Sequence, residues 1–277
     1  MLRCSAGARA LDNAGLQAQQ VGAVVVSTCT GYLCPGLSGY VVQRLGLNAG
    51  IQAFDLVGQG CAAAVPNLQL GAALLSSGIH QHVLSICVEV SSAAMYLDDD
   101  PGVLISACLF GDGAGAAVLS QVPAPNRRVI RWVDTQSFID PGQRAALMFE
   151  QRDGMLRNIL TRTVPTLAAT HARAVLDTVL ARQDVRLARI TAWILHAGGR
   201  DVLSELVRTL GVDEHDLRYS AAMLREHGNL SSAFVYFVLQ AALDDGAEGA
   251  GASDGWWWLA SFGAGFSCHG ALLEVSA

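Results

Sequence analysis

The stretch Asp55-Leu-Val-Gly-Gln-Gly-Cys61-Ala-Ala-Ala64 carries an extended apolar segment, Ile51 to Leu56, through two glycines into a run of small residues with a helical pattern that continues to Ser76. A strand that ends in glycine and opens a helix is the joint of an α/β unit. A thiol at such a joint lies near unpaired backbone N–H groups and the positive end of the helix, which stabilise the thiolate and lower the thiol pKa. Gly58 and Gly60 let the chain turn tightly with little bulk beside the sulfur. A plainer reading competes with this one, because a cysteine among alanines also packs as a small hydrophobe.

Outward from Cys61, the chain repeats one order of parts. A helical pattern over residues 8–20 precedes a buried strand at Val21 to Thr28, a helix at Leu37 to Leu45, the Ile51 to Leu56 strand, the Ala62 to Ser76 helix and a strand at Val83 to Glu89. Pro123-Ala-Pro125 reads as a connector, after which the order returns. A helix spans Val164 to Gln183, a strand Ile190 to Leu195 and a helix Asp201 to Leu210; a short segment at Leu217 to Met223, a helix at Ser231 to Leu243 and the strand Trp256 to Ser261 follow. Val21 to Cys61 and Ile190 to Asn229 are intervals of almost equal length, and Leu45-Gly-Leu47 has its counterpart in Leu210-Gly-Val212. Such a duplication predicts an α/β fold of two pseudo-symmetric halves, residues 1–122 and 123–277, packed back to back. Cys61 and Asn229 then open equivalent helices that face a shared centre.

Composition narrows the function. The chain of 277 residues is 52% hydrophobic and 15% charged, enough to bury a large core. Its formal charge of −6 and the lack of a Lys/Arg run argue against a nucleic-acid partner. Apolar runs such as Val21 to Val26 are too short to span a bilayer, and the first residues lack a signal-peptide core, so the expectation is a cytoplasmic protein with no membrane association. Seven cysteines in no close pattern suit reduced thiols. No metal site is expected: His80-Gln-His82, Cys29 with Cys34, and Cys268-His269 lack ligand spacing. Phe110-Gly-Asp-Gly-Ala-Gly115 precedes a strand-like segment, the reverse of a dinucleotide loop, and is read as tight packing. Asp98-Asp-Asp-Pro101 is read as an exposed turn.

His196 ends the Ile190 to Leu195 strand and is followed by Ala197-Gly198-Gly199, where open α/β sheets place ligands. Asn229 sits in His227-Gly-Asn229-Leu-Ser-Ser-Ala233 at a helix start, where an N-cap is the plainer role. With these segments the chain resembles the type III polyketide synthases, the chalcone and stilbene synthase-like enzymes of the thiolase fold. The likeness rests on Gly58-Gln-Gly-Cys61, Trp193-Ile-Leu-His196-Ala-Gly-Gly199 and the Asn229 segment, with support from Ser27-Thr-Cys-Thr-Gly-Tyr-Leu-Cys-Pro-Gly36, Leu109-Phe-Gly-Asp-Gly113 and Ser261-Phe-Gly-Ala-Gly265.

The resemblance implies that Cys61 accepts an acyl starter from coenzyme A, and that His196 and Asn229 stabilise the enolate left when malonyl-CoA loses carbon dioxide. It implies a homodimer, coenzyme A thioesters as substrates and no metal or redox cofactor. Cys29 and Cys34 fall on a loop similar to a pocket wall, Cys34 at a position that relatives contribute across the dimer interface. Phe262 and Gly263 fall on the loop similar to the cyclisation pocket. Counting on from Glu89 puts Met95 at the gatekeeper position, whereas counting back from Phe110 gives Ala93; a flexible thioether there suits fatty acyl starters. Two other readings stay open. One is an initiating ketoacyl-ACP synthase, whose histidine is commonly followed by Gln-Ala-Asn rather than Ala-Gly-Gly. The other is a shortened, non-catalytic homologue acting as an interaction subunit, because the family's opening strand and helices are not evident ahead of Cys61, leaving the first half incomplete. The late loop also has Ala264 where the family usually has proline, which loosens it.

Overall fold

The computed structural model describes residues 2–124, 127–247 and 252–277. Helix α1 (Leu2–Ala14) leads into strand β1 (Ala23–Ser27), helix α2 (Leu37–Leu45) and strand β2 (Gln52–Leu56). Helix α3 (Ala64–Ser76), strand β3 (His82–Glu89), the short helix α4 (Ser91–Ala94), helix α5 (Pro101–Leu109) and strand β4 (Gly113–Ser120) follow. The second half runs β5 (Val129–Ile139), the hairpin β6 (Leu147–Arg152) and β7 (Met155–Leu160), α6 (Val164–Gln183), β8 (Ile190–Leu195), α7 (Arg200–Leu210), α8 (Arg218–His227), α9 (Phe234–Ala247), β9 (Gly255–Gly263) and β10 (Ser267–Ser276).

Two four-stranded sheets result, ordered β2-β1-β3-β4 and β5-β10-β9-β8. In each, a strand pairs parallel with the next and that one antiparallel with the last: β1 with β3 and β3 with β4, then β8 with β9 and β9 with β10. Helices α3 and α9 both pack between the sheets, while α1 and α2 cover the outer face of the first and α6 the outer face of the second. This layering explains the unbroken apolar runs. Every residue of β1 is buried, as a parallel strand sandwiched by helices on both faces must be. Trp257 and Trp258 of β9 lie fully buried in the main core with Phe234, Leu195 and Leu206.

The elements expected from periodicity are present at α2, α6 and β8 with the same bounds. Three regions differ. The first helix starts earlier and stops at Ala14, and residues 18–20 form a separate 3₁₀ turn; Gly15, at φ 69°, accounts for the break. The segment near Leu217 to Met223 is the helix α8, continuing to His227. Asp98 to Pro101 is more than a turn: Asp100 Oδ1 accepts from the N–H groups of Gly102 and Val103, capping α5, and Asp98 accepts from Arg157 Nε at 2.9 Å. Strands β5, β6 and β7 have mixed, half-exposed patterns that carry little apolar alternation. Of the proposed connector, Pro125 lies outside the described residues.

The glycines of 111–115 are packing glycines, as their sequence position suggests. A Cβ at Gly113 would press on Leu230 at 3.1 Å, and one at Gly111 or Gly115 would overlap His227 or Tyr236. These close approaches draw β4 against the segment that opens α9, and so bring Asn229 toward the first half.

Candidate active site

Cys61 lies in a 3₁₀ turn, Gly60–Ala63, that runs straight into α3. Gly60 holds φ 54° in the left-handed region, and a Cβ there would also meet Ala264 at 3.3 Å, so both the turn and its neighbour require glycine. The end of β9 closes over the same turn. Ser261 Oγ donates to Ala62 O at 2.7 Å, and a Cβ on Gly263 would fall 2.7 Å from Ala62 N and 3.0 Å from Cys61 N.

The start of α9 meets Cys61 from the other half. Ser231 Oγ donates to Cys61 Sγ at 3.2 Å, and Ser231 N donates to Asn229 Oδ1 at 2.8 Å. Asn229 is itself fixed by the backbone: its N–H donates to Leu109 O at 2.8 Å and its carbonyl accepts from Gly111 N at 3.0 Å. Because the amide oxygen accepts from that N–H, Nδ2 is the end left over, and it carries no hydrogen bond among the described residues. His196, buried at the end of β8, donates its backbone N–H to Ala260 O at 2.9 Å. Its ring stands edge-on to Phe234 at 5.5 Å and to Phe262 at 5.0 Å. Those two phenylalanines adjoin the segments that touch Cys61, so the three motifs converge on one region.

Electrostatics oppose charge here. Burial pushes the Cys61 thiol up to about 12, overriding the helix start that favours the thiolate; the Ser231 hydroxyl and the residue's own N–H pull against that rise. Burial alone drives His196 down to about 3, so a lone charge on either group is disfavoured. Glu89 at the end of β3 is the third buried group. Its carboxylate accepts from Cys29 N at 3.0 Å, Thr30 Oγ1 at 2.9 Å and Ser232 Oγ, and burial raises its pKa against those donors.

The other pocket residues divide. Cys29 is in the site, its Sγ 3.2 Å from Ser231 Oγ and 3.4 Å from Glu89 Oε2. Phe262 packs on His196, and Gly263 on the Cys61 turn. Cys34 is exposed, on a loop with Tyr32 at 75% and Leu33 at 51% exposure. Met95 pairs with Leu156 of β7. No group of His, Cys, Asp or Glu suited to a metal ion occurs among the described residues.

The sequence pattern described as FAE1/Type III polyketide synthase-like protein matches residues 4–182, and that of chalcone and stilbene synthases, C-terminal domain, matches residues 132–276. The chain belongs to the type III polyketide synthase family. Its relatives in that family include the 3,5-dihydroxyphenylacetyl-CoA synthase of Amycolatopsis balhimycina, 30% identical over 98% of this chain and 72% of the relative. The crystal structure of PKS-I from the brown alga Ectocarpus siliculosus superposes with a TM-score of 0.91 at 27% identity, over 98% of this chain and 73% of that one. The 1,3,6,8-tetrahydroxynaphthalene synthase of Streptomyces coelicolor A3(2), a bacterial type III polyketide synthase, gives 0.90 at 26% identity, over 99% and 77%. The thiolase-like layering is thus that of type III polyketide synthases of known structure, and the chain is an acyltransferase-type enzyme of this family.

Ser231 and Glu89 are the site residues that sequence reasoning passed over. Ser231 follows Asn229 by two positions inside a quoted motif and Glu89 ends an apolar strand, yet the burial and partners that mark both are set only by the fold. The acid response of the fold follows from the same burial. His196 and His269, held near 3 and about 4, and His171, also lowered by burial, bind protons more weakly than in the unfolded chain. The unfolded state then takes up more protons below about pH 6.5, so stability present at neutral pH falls toward pH 4. Denaturant midpoints measured from pH 7.5 to 4.5 should decline steadily, and a flat series would show that these imidazoles protonate freely in the fold.

Proposed function

We propose that this enzyme condenses malonyl-CoA onto an acyl-CoA starter through an acyl-enzyme on Cys61. The Cys61 sulfur attacks the starter thioester, and coenzyme A leaves with the thiol proton. His196 receives and returns that proton: a thiolate beside an imidazolium cancels the net charge that burial penalises in either group alone. Malonyl-CoA then loses carbon dioxide, the breaking bond's electron pair passing to the thioester oxygen as an enolate. The Asn229 Nδ2 and a ring N–H of His196 donate to that oxygen where its charge develops. The enolate carbon attacks the acyl group on Cys61, a carbon–carbon bond forms and the thiolate leaves. No electrons are exchanged with an external carrier, so the reaction calls for no redox cofactor.

The observation that carries this reading is the Asn229 amide, its oxygen engaged by the same Ser231 whose hydroxyl donates to Cys61, and its Nδ2 left without a partner among the described residues. Relatives bear the names of synthases of dihydroxyphenylacetyl-CoA and tetrahydroxynaphthalene, which supports malonyl-derived phenols as the product class. The homodimer belongs to the same proposal, with the exposed Tyr32-Leu33-Cys34 loop as the segment that a second copy covers. No helix among the described residues is long and apolar enough to cross a membrane. Incubation with malonyl-CoA and a panel of acyl-CoA starters, followed by mass spectrometry of released products, tests the activity: polyketides built from decarboxylated malonyl units are expected, and turnover that requires an acyl carrier protein would move the enzyme to the ketoacyl synthase reaction.

A further inference from the structure

Ser231 is buried at φ 51°, in the left-handed region that serine rarely occupies, and its N–H is held there by Asn229 Oδ1. The conformation aims its hydroxyl between two sulfurs, 3.2 Å from Cys61 Sγ and 3.2 Å from Cys29 Sγ. Cys29 is fixed in turn, since Glu89 accepts from both its N–H and its S–H. A hydroxyl carries one proton and serves one sulfur at a time. The thiolate of Cys61 is the strongest acceptor within its reach, whereas a thioester sulfur is a poor one.

We infer that Ser231 is a further catalytic residue: its hydroxyl holds the Cys61 thiolate in the free enzyme and turns to Cys29 once Cys61 is acylated. Cys29 is the second acceptor, and Glu89 keeps its sulfur in place. The inference rests on the reading of Cys61 as nucleophile and adds a group that tunes its reactivity. Consistent with it, the Ser231 hydroxyl is the side-chain group that pulls the Cys61 thiol down against burial.

The test is the pH dependence of Cys61 alkylation by iodoacetamide, read by peptide mass so that Cys29 is scored separately. In Ser231→Gly the midpoint should rise by about one pH unit, with alkylation about tenfold slower at neutral pH, as the loss of a charge-assisted hydrogen bond requires. Ser231→Ala should behave alike. Glycine accepts φ 51° freely and alanine does not, so a role in backbone shape alone predicts a normal profile in Ser231→Gly and a disturbed one only in Ser231→Ala. Cys29→Ala leaves the hydroxyl undivided for Cys61, and its midpoint should fall. An unshifted profile in folded Ser231→Gly overturns the catalytic role of the hydroxyl, and a midpoint that stays or rises in Cys29→Ala overturns the part given to Cys29. Because no thioester is present, these readouts stand even if acyl-CoA loading fails, which separates the inference from the polyketide reading.

Discussion

Asn229→Asp should lower decarboxylation of malonyl-CoA by about 1,000-fold while the enzyme stays folded. The aspartate keeps the oxygen that accepts the Ser231 N–H at 2.8 Å, so the turn that opens α9 is preserved. It replaces the Nδ2 donor with a second oxygen, which repels the enolate oxygen that the amide is placed to stabilise. Loss of one such donor costs about 10² to 10³ in rate, and repulsion adds to that. The comparison with Asn229→Ala is informative. Alanine removes both functions and leaves the buried Ser231 N–H without a partner, at a cost of about 1–3 kcal/mol in stability. If Asn229 were only a cap, Asn229→Asp would retain full decarboxylation and only Asn229→Ala would suffer. Carbon dioxide release and thermal unfolding, measured on both variants, decide between the two.

Gly263→Ala should slow acyl loading by about 100-fold. Its Cβ would fall 2.7 Å from Ala62 N, closer than real Cβ contacts come, and a tight 3.0 Å from Cys61 N. The obstacle is backbone, in a turn already fixed by Ser261 Oγ on Ala62 O, so no flexible side chain can yield. Either β9 lifts away from the turn or Cys61 shifts relative to His196 and Asn229. Overpacking of this kind costs about 1–3 kcal/mol in stability, whereas a displacement of about 1 Å at a reacting centre costs about 100-fold in rate. Activity should therefore fall far more than stability. Acyl loading at the wild-type rate in this variant, measured by intact mass, would show that Gly263 and Cys61 do not need to meet.

The parts of this fold that could be read from the sequence are those whose burial is uniform or periodic. The strand β1 and the helix α6 declare themselves because each packs against elements that cover it. The β6–β7 hairpin and β5 do not, since their side chains are half exposed and their pairing is set by distant partners, β5 by β10. The same distinction governs the site. Cys61, His196 and Asn229 stand at glycine-marked ends of elements, where sequence alone points to chemistry. Ser231 and Glu89 act through long-range contacts, Ser231 with Cys61 and Glu89 with Cys29 and Ser232, and such pairings leave no local pattern. The thiol itself went the other way: proximity to a helix start suggested a lowered pKa, and burial in the closed fold raises it.

The central claim is that Cys61 carries the growing chain, and intact mass spectrometry of the purified chain tests it most directly. After incubation with acyl-CoA starters, the wild type should gain one acyl mass, mapped to the peptide that contains Cys61, and lose it when malonyl-CoA is added and products leave. Cys61→Ala should gain none while its thermal unfolding stays close to wild type. Acylation that persists in Cys61→Ala, or that maps to Cys29 in the wild type, would contradict the account.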